Sequence, residues 1–296
     1  MLESSSNIIT DYSKNYPSAA SQNIEALYRF SAYNPEQIER HKKLLTDGWL
    51  FHNLPCNFND PFEFKPKLNW PEKNSTEEAG LIFDLKAYYQ LVNRTLSEPN
   101  TKQLFKDKSI RDKLKQNIID AYQSIRVCCF TTSHENPLSW AHYADSHKGY
   151  CVKFSGNGNV VSQARRINYT ENYPVLTFPL LTQMVKFLGP MLSKSKVWSY
   201  ENEYRSIFNP SHEEDLELHT QLTRTEDLLK ALELKHDGES LSLDKDEITD
   251  IYFGVNMPDE HKKEIKRLVK KGRFTPKFWS ASISDEDYKI LFHRYK

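Results

Sequence analysis

The chain has 296 residues and a mass of 34.8 kDa, enough for a sizeable core in one large domain or two small ones. Its 40 Lys+Arg balance 40 Asp+Glu, which excludes a protein that holds nucleic acid or membrane by bulk charge and leaves only local basic patches. The mean hydropathy is −0.70, and no apolar run approaches the roughly 18 residues of a membrane span. Apolar content arrives mostly as rings, with 16 Tyr, 16 Phe and 5 Trp. The opening stretch MLESSSNIITDYSKNYPSAASQN lacks the basic start and apolar core of a secretion signal, so the expectation is a cytoplasmic protein with no membrane partner. The four cysteines form no CxxC pair. Cys128 and Cys129 are adjacent and on a strand would point to opposite faces, which argues for buried free thiols and no metal centre.

Residues 1–24 are polar and aperiodic and read as a flexible arm. Residues 26–30 (ALYRF) predict a first strand. Asn34 as cap, Pro35 at the first turn and Gly48 as terminator predict a helix over 35–47, and WLFHNL a second strand. The stretch Pro55-Cys56-Asn57-Phe58-Asn59-Asp60-Pro61-Phe62-Glu63 is turn-rich. Helical periodicity then takes over from about 71 to 125, with stripes at Leu85, Tyr88, Tyr89, Val92 and at Ile110, Leu114, Ile118, Tyr122. Strands follow at 126–133 (RVCCFTTS) and 149–154 (GYCVKF), flanking the Trp140–His142–Tyr143 segment. Further strands are predicted at 164–169, 200–208, 248–255, 274–283 and 288–292, with helices near 176–193, 225–234 and after Pro258 to Gly272. The sum is an α+β fold: a mostly antiparallel, split sheet in a single domain over 25–296, interrupted by the helical insertion.

Three clusters carry candidate chemistry. Arg29 lies on the first strand, Thr131-Thr132-Ser133 at the end of a middle strand, and Glu201-Asn202-Glu203 at the entry to a later one, where period-2 alternation sets Glu201, Glu203 and Arg205 on one face. Singly each has an ordinary structural reading: an arginine stem packed on rings, turn hydroxyls, a solvated salt-bridged stripe. Trp140 and Tyr143 are spaced as a helical packing pair, and His142 between them, with His147 nearby, could serve as general acid or base. Asn59 and Asp60 before Pro61 read as an Asx-fixed turn or a pocket-lining loop, with Glu63 close enough to join either. Lys262, Lys263, Lys266, Arg267, Lys270 and Lys271 form a basic helix surface, solvated or in contact with phosphates.

In combination, Arg29, the Thr131–Ser133 cluster and Glu201-x-Glu203 resemble the ADP-ribosyltransferase superfamily in its Arg–Ser–Glu branch. That resemblance implies an ADP-ribosyltransferase-like fold with NAD as substrate. It also implies phosphate grip by Arg29, support of the nicotinamide ribose by Thr131 and Ser133, catalysis by Glu203, and Glu201 directed at the acceptor. The middle motif departs from the family in reading Thr-Thr-Ser where Ser-Thr-Ser is usual. A second resemblance spans nearly the whole chain. LYRF, LPCNFNDPFEF, CCFTTSHENPLSWAHYADSHKGYCVKF, VWSYENEYRSIF and IYFGVNMP are similar, in order, to a bacterial domain-of-unknown-function family found beside phage-defence and mobile-element genes. It implies a toxin or antiviral-defence setting with an antitoxin or defence-system partner.

The chemistry fits these residue types. Cleaving nicotinamide from ribose builds oxocarbenium-like charge that a carboxylate at Glu203 would stabilise. A forked guanidinium suits pyrophosphate, Phe58, Trp140 and Tyr143 are candidate walls for the nicotinamide, and Arg205 could orient a carboxylate. The expected activity is therefore NAD-dependent ADP-ribosyl transfer, a glycosyl transfer, to a protein or nucleic acid. The alternative is a metal-independent nuclease or nucleic-acid-binding module using His142, Glu203 and Arg205 with the basic helix.

Overall fold

β-branched and aromatic runs such as RVCCF, YCVKF and ITDIYF form the strands of the computed structural model, which describes residues 14–70, 76, 78–80, 82, 108–177, 188–210 and 234–296. In chain order the elements are β1 (Ala26–Ser31), α1 (Ile38–Leu45), β2 (Trp49–Phe51), β3 (Lys67–Asn69), α2 (Lys108–Gln123), β4 (Arg126–Phe130), α3 (Pro137–Tyr143) and β5 (Tyr150–Ser155). There follow β6 (Arg165–Arg166), β7 (Asn168–Thr170), β8 (Val175–Thr177), β9 (Ser193–Ser195), β10 (Tyr204–Phe208) and β11 (Ser240–Ser242). The last four are β12 (Ile248–Phe253), α4 (Asp259–Lys271), β13 (Lys277–Ile283) and β14 (Ile290–Arg294). The class is α+β. No helix among the described residues is long and apolar enough to cross a membrane.

Internal contacts divide the chain into two compact units. The first takes residues 54–125 and 168–198 together with the first 15 positions. It contains two parallel strand pairs, β3 with β8 and β7 with β9. On α2, Ile118 and Tyr122 of the expected stripe are buried. The stripe at 85–92 and the helix core at 178–187 lie outside the described residues, as does 225–233.

The second unit takes 16–53, 126–167 and 199–296. Its main sheet has the order β1-β5-β12-β13-β14, antiparallel except for β12 beside β13. That parallel pair requires a crossover, and α4 supplies it. Acids in the first turn and lysines in the last turn of α4 complement its dipole. A second sheet runs β4-β10-β6, and β11 pairs with β2. One face of the main sheet packs Leu27, Val152, Phe154, Ile251 and Phe253 with Leu44 and Leu45 of α1, Ile265 and Leu268 of α4, and Cys128, Phe130 and Tyr204 of the second sheet. Gly254 sits so close to its neighbours that a Cβ there would lie 2.1 Å from the carbonyl oxygen of His147. Only glycine permits this approach, which anchors the loop before β5.

Several boundaries differ from the sequence reading. Asn34 does accept from the Glu36 N–H at 3.0 Å, but Pro35 opens a 3-10 turn and the α-helix begins at Ile38. The expected strand at 164–169 breaks at Ile167, whose N–H leaves the ladder for the Glu203 carbonyl at 3.0 Å. The strand expected from 274 begins at Lys277 because Pro276 has no N–H to give a ladder, and Phe274 is buried instead. The last strand starts at Ile290, after a turn in which Ser284 Oγ accepts from Glu286 and Asp287. Near residue 192, where a helix was expected, the chain has a 3-10 turn and then β9. The vicinal cysteines face oppositely as alternation requires: Cys128 is in the core, in register with Ser206, and Cys129 is in register with Arg205.

Candidate functional site

β1 and β4 belong to different sheets, yet Tyr28 and Thr131 exchange both backbone hydrogen bonds at 2.8 Å. Thr131 Oγ1 then donates to the Glu201 carbonyl at 2.5 Å. Thus the segments carrying Arg29, the Thr-Thr-Ser cluster and Glu-x-Glu, remote in sequence, meet at Thr131. Ser133 follows, its N–H 3.4 Å from Thr131 Oγ1 and its own Oγ accepting from Glu135.

α3 is placed against this junction by its cap. Asn136 Oδ1 accepts from the Leu138 N–H at 2.9 Å, and Asn136 Nδ2 donates to the Tyr200 carbonyl at 3.2 Å. Trp140 is fully buried, with Nε1 donating to the His134 carbonyl at 2.7 Å. Tyr143 donates its hydroxyl to Glu201 Oε1 at 2.5 Å, while His142 is exposed on the last turn. Asn136→Ala removes a helix cap and the tie to Tyr200 together. A loss of about 1 kcal/mol is expected, read as a lower urea midpoint at unchanged slope.

The Glu-x-Glu stretch corrects the alternation expected from sequence. Glu201 ends a 3-10 turn, Lys196–Glu201, Asn202 turns at φ 45°, and the strand begins only at Tyr204. Asparagine tolerates that left-handed conformation better than most residues. Glu203 and Arg205 still share a side: Arg205 Nε donates to Glu203 Oε1 at 2.6 Å and a second guanidinium nitrogen to Oε2 at 3.3 Å. Arg205 is 0% and Glu203 2% exposed. A forked, charge-assisted pair is what makes such burial tolerable.

Arg29 takes the opposite face of β1. Strand alternation puts it with Leu27 on the face whose register partner is Val152, a core residue, opposite to Tyr28 and Thr131. Its positive charge acts on the buried Tyr150 hydroxyl and on His52. Burial raises the Cys128 thiol, Arg29 pulls it down and Glu203 pushes it up, so both charges lie near one thiol. The structure therefore gathers Thr131, Ser133, Tyr143, Glu201, Glu203 and Arg205, and sets Arg29 on the other face of β1.

A ring cluster on the Thr131 side of β1 escaped the sequence reading. Tyr28 stacks on His134 with centroids 4.9 Å apart at 24°, and His134 lies 4.1 Å from Tyr252 and 4.7 Å from Phe292. Tyr252 in turn parallels Trp279 at 6.2 Å. Trp279 Nε1 donates to Asp250 Oδ1 at 2.8 Å, and Lys153 reaches Asp250 at 3.7 Å. Burial lowers the His134 imidazole and raises the Tyr28 and Tyr252 hydroxyls. The one local signal was Tyr28 beside Arg29; the rest depends on cross-sheet register.

Phe58, Asn59 and Asp60 fall in the first unit. There Phe58 meets Phe64 edge-on at 5.6 Å, Asn59 is exposed, and Asp60 Oδ1 accepts from the Phe62 N–H at 2.9 Å, the Asx turn expected of this sequence. Asp60 Oδ2 is buried without a hydrogen-bond partner among the described residues. Glu63 is buried with Lys194, 3.4 Å away.

No family model matches the chain, and no curated protein or solved structure matches it.

Proposed function

We propose that the chain is an NAD-dependent ADP-ribosyltransferase-like effector of the toxin or phage-defence type, transferring ADP-ribose to a protein or nucleic acid. The observation that supports this most is the convergence at Thr131, where its backbone meets Tyr28 and its hydroxyl holds the Glu201 carbonyl. It joins the three segments on which the resemblance to the Arg–Ser–Glu branch rests.

In this reading the bond between ribose C1′ and the nicotinamide nitrogen breaks and its electron pair leaves with nicotinamide. Glu203, oriented by Arg205, stabilises the cationic sugar. An acceptor lone pair forms the new bond to C1′, and Glu201, held by Tyr143, takes the acceptor's proton. Tyr28 and His134, stacked beside Thr131, offer a wall for the nicotinamide. Arg29 keeps the phosphate role only if the dinucleotide reaches the Leu27 face of β1.

Incubation of the protein with labelled NAD and bacterial lysate is expected to transfer label, and Glu203→Gln to cut transfer by about 100-fold or more. Absence of label with the wild type, or equal labelling by the variant, overturns the reading. Arg29→Ala separates the roles: transfer that survives it removes Arg29 from the site and leaves the carboxylates in place.

A further inference from the structure

The outward side of α4 is acidic in its first turn, at Asp259 and Glu260, and mainly cationic from Lys263 onward. Ile265, Leu268 and Val269 are buried, while Lys263, Arg267, Lys270 and Lys271 are exposed. Lys266 lies between, its Nζ 5.2 Å from the Tyr295 ring centroid and 5.7 Å from that of Phe278. Beside them, between α4 and the start of β13, is an open, apolar-walled cavity of about 310 Å³ formed by Val269, Pro276, Phe278 and the stems of Lys266, Arg267 and Lys270, among others. Arg267 is paired with Glu264 at 2.6 Å. Among the described residues no carboxylate pairs with Lys263, Lys266, Lys270 or Lys271.

Complementing the helix dipole accounts for Lys270 and Lys271 in the last turn. It does not account for Lys263 and Lys266 further up, nor for an apolar hollow with an aromatic ring bordered by cationic side chains. We propose that this face binds single-stranded nucleic acid, with phosphates on the lysines and a base or sugar in the cavity against Phe278. Cations interleaved with rings are the usual composition of such a surface. From Lys263 to Lys271 the helix rises about 12 Å, enough for a few consecutive phosphates. An anionic membrane fits less well, because the exposed side of α4 offers no apolar residue to insert. The proposal goes beyond NAD chemistry and does not depend on it.

Fluorescence anisotropy with a fluorescein-labelled oligothymidylate tests it. Binding is expected to weaken with salt at a log–log slope of about −2 to −3, as for three or four neutralised phosphates on a single strand. The double variant Lys266→Glu/Lys270→Glu is expected to weaken binding by about tenfold or more at fixed salt, and to flatten the slope by about 1.4, two contacts' worth. Lys245→Glu, a charge reversal in the turn before β12, should leave both nearly unchanged. The proposal is overturned by absence of binding, by an unaltered slope in the double variant or by equal weakening in Lys245→Glu. Binding to phosphatidylserine vesicles without binding to the oligonucleotide also overturns it, in favour of a membrane surface.

Discussion

Replacing Arg205 with alanine is expected to destabilise the protein by about 3–5 kcal/mol, the usual penalty for withdrawing one partner of a fully buried ion pair. The magnitude follows from geometry: Glu203 is 2% exposed, and its carboxylate loses both arms of the fork, at 2.6 and 3.3 Å. Arg205→Lys should recover only part, since a point-charge ammonium cannot reproduce a planar fork. In a double-mutant cycle, Glu203→Ala with Arg205→Ala should cost less than the sum of the single changes by about 1–3 kcal/mol. A loss under about 1 kcal/mol for Arg205→Ala in urea denaturation would show that the pair contributes no more than an exposed salt bridge.

Acid should weaken the fold well before the carboxylates titrate. His52 is wholly buried. Its Nδ1–H donates to the Leu50 carbonyl at 2.9 Å, and Nε2 pairs with Ser206 Oγ at 3.0 Å. Desolvation first, then the charges of Arg29 and Arg126, lower its pKa from 6.5 to about 3. His41 is lowered to about 4 by burial and by Arg40. The Asn34 N–H donates to His41 Nε2 at 3.3 Å and Nδ1 faces Tyr150 Oη at 3.0 Å, so a second ring proton would oppose an N–H. A histidine whose folded pKa lies below its unfolded value costs no stability above pH 6.5 and progressively more as pH falls, because the unfolded chain takes up the proton first. Between pH 6.5 and 4.5 His52 should remove about 2 kcal/mol and His41, whose ring is less fully desolvated, a smaller amount. Glu247, whose carboxyl is raised by burial, acts in the opposite sense once pH falls through its folded pKa. Denaturation curves at pH 7.5, 6 and 4.5 check this, and His52→Gln should flatten the profile. Stability that stays level across that span would contradict it.

The local features were readable from sequence because their causes are local. Asn34 caps the 3-10 turn that leads into α1, and Gly272 closes α4 with its N–H on Val269. Cys128 and Cys129 divide between faces because any strand alternates. The stretch YENEYR misled because a 3-10 turn followed by a left-handed Asn202 carries the same residue pattern as a strand until the backbone is seen. At the site, the residue types could be picked out, but their relations could not. That Thr131 holds a carbonyl seventy positions away, or that Tyr252 and Phe292 close around His134, is decided by sheet register. So is the face that Arg29 takes, which depends on how β1 pairs with β5.

The main sheet meets β4 through one isolated rung, Tyr28 with Thr131, and through the core between them. The Phe130–Phe154 ring contact at 5.5 Å and the packing of Cys128 and Tyr204 in the shared core hold the β4-β10-β6 layer against the main sheet, so the position of the acidic turn at Glu201 is fixed to both sheets through Thr131 Oγ1.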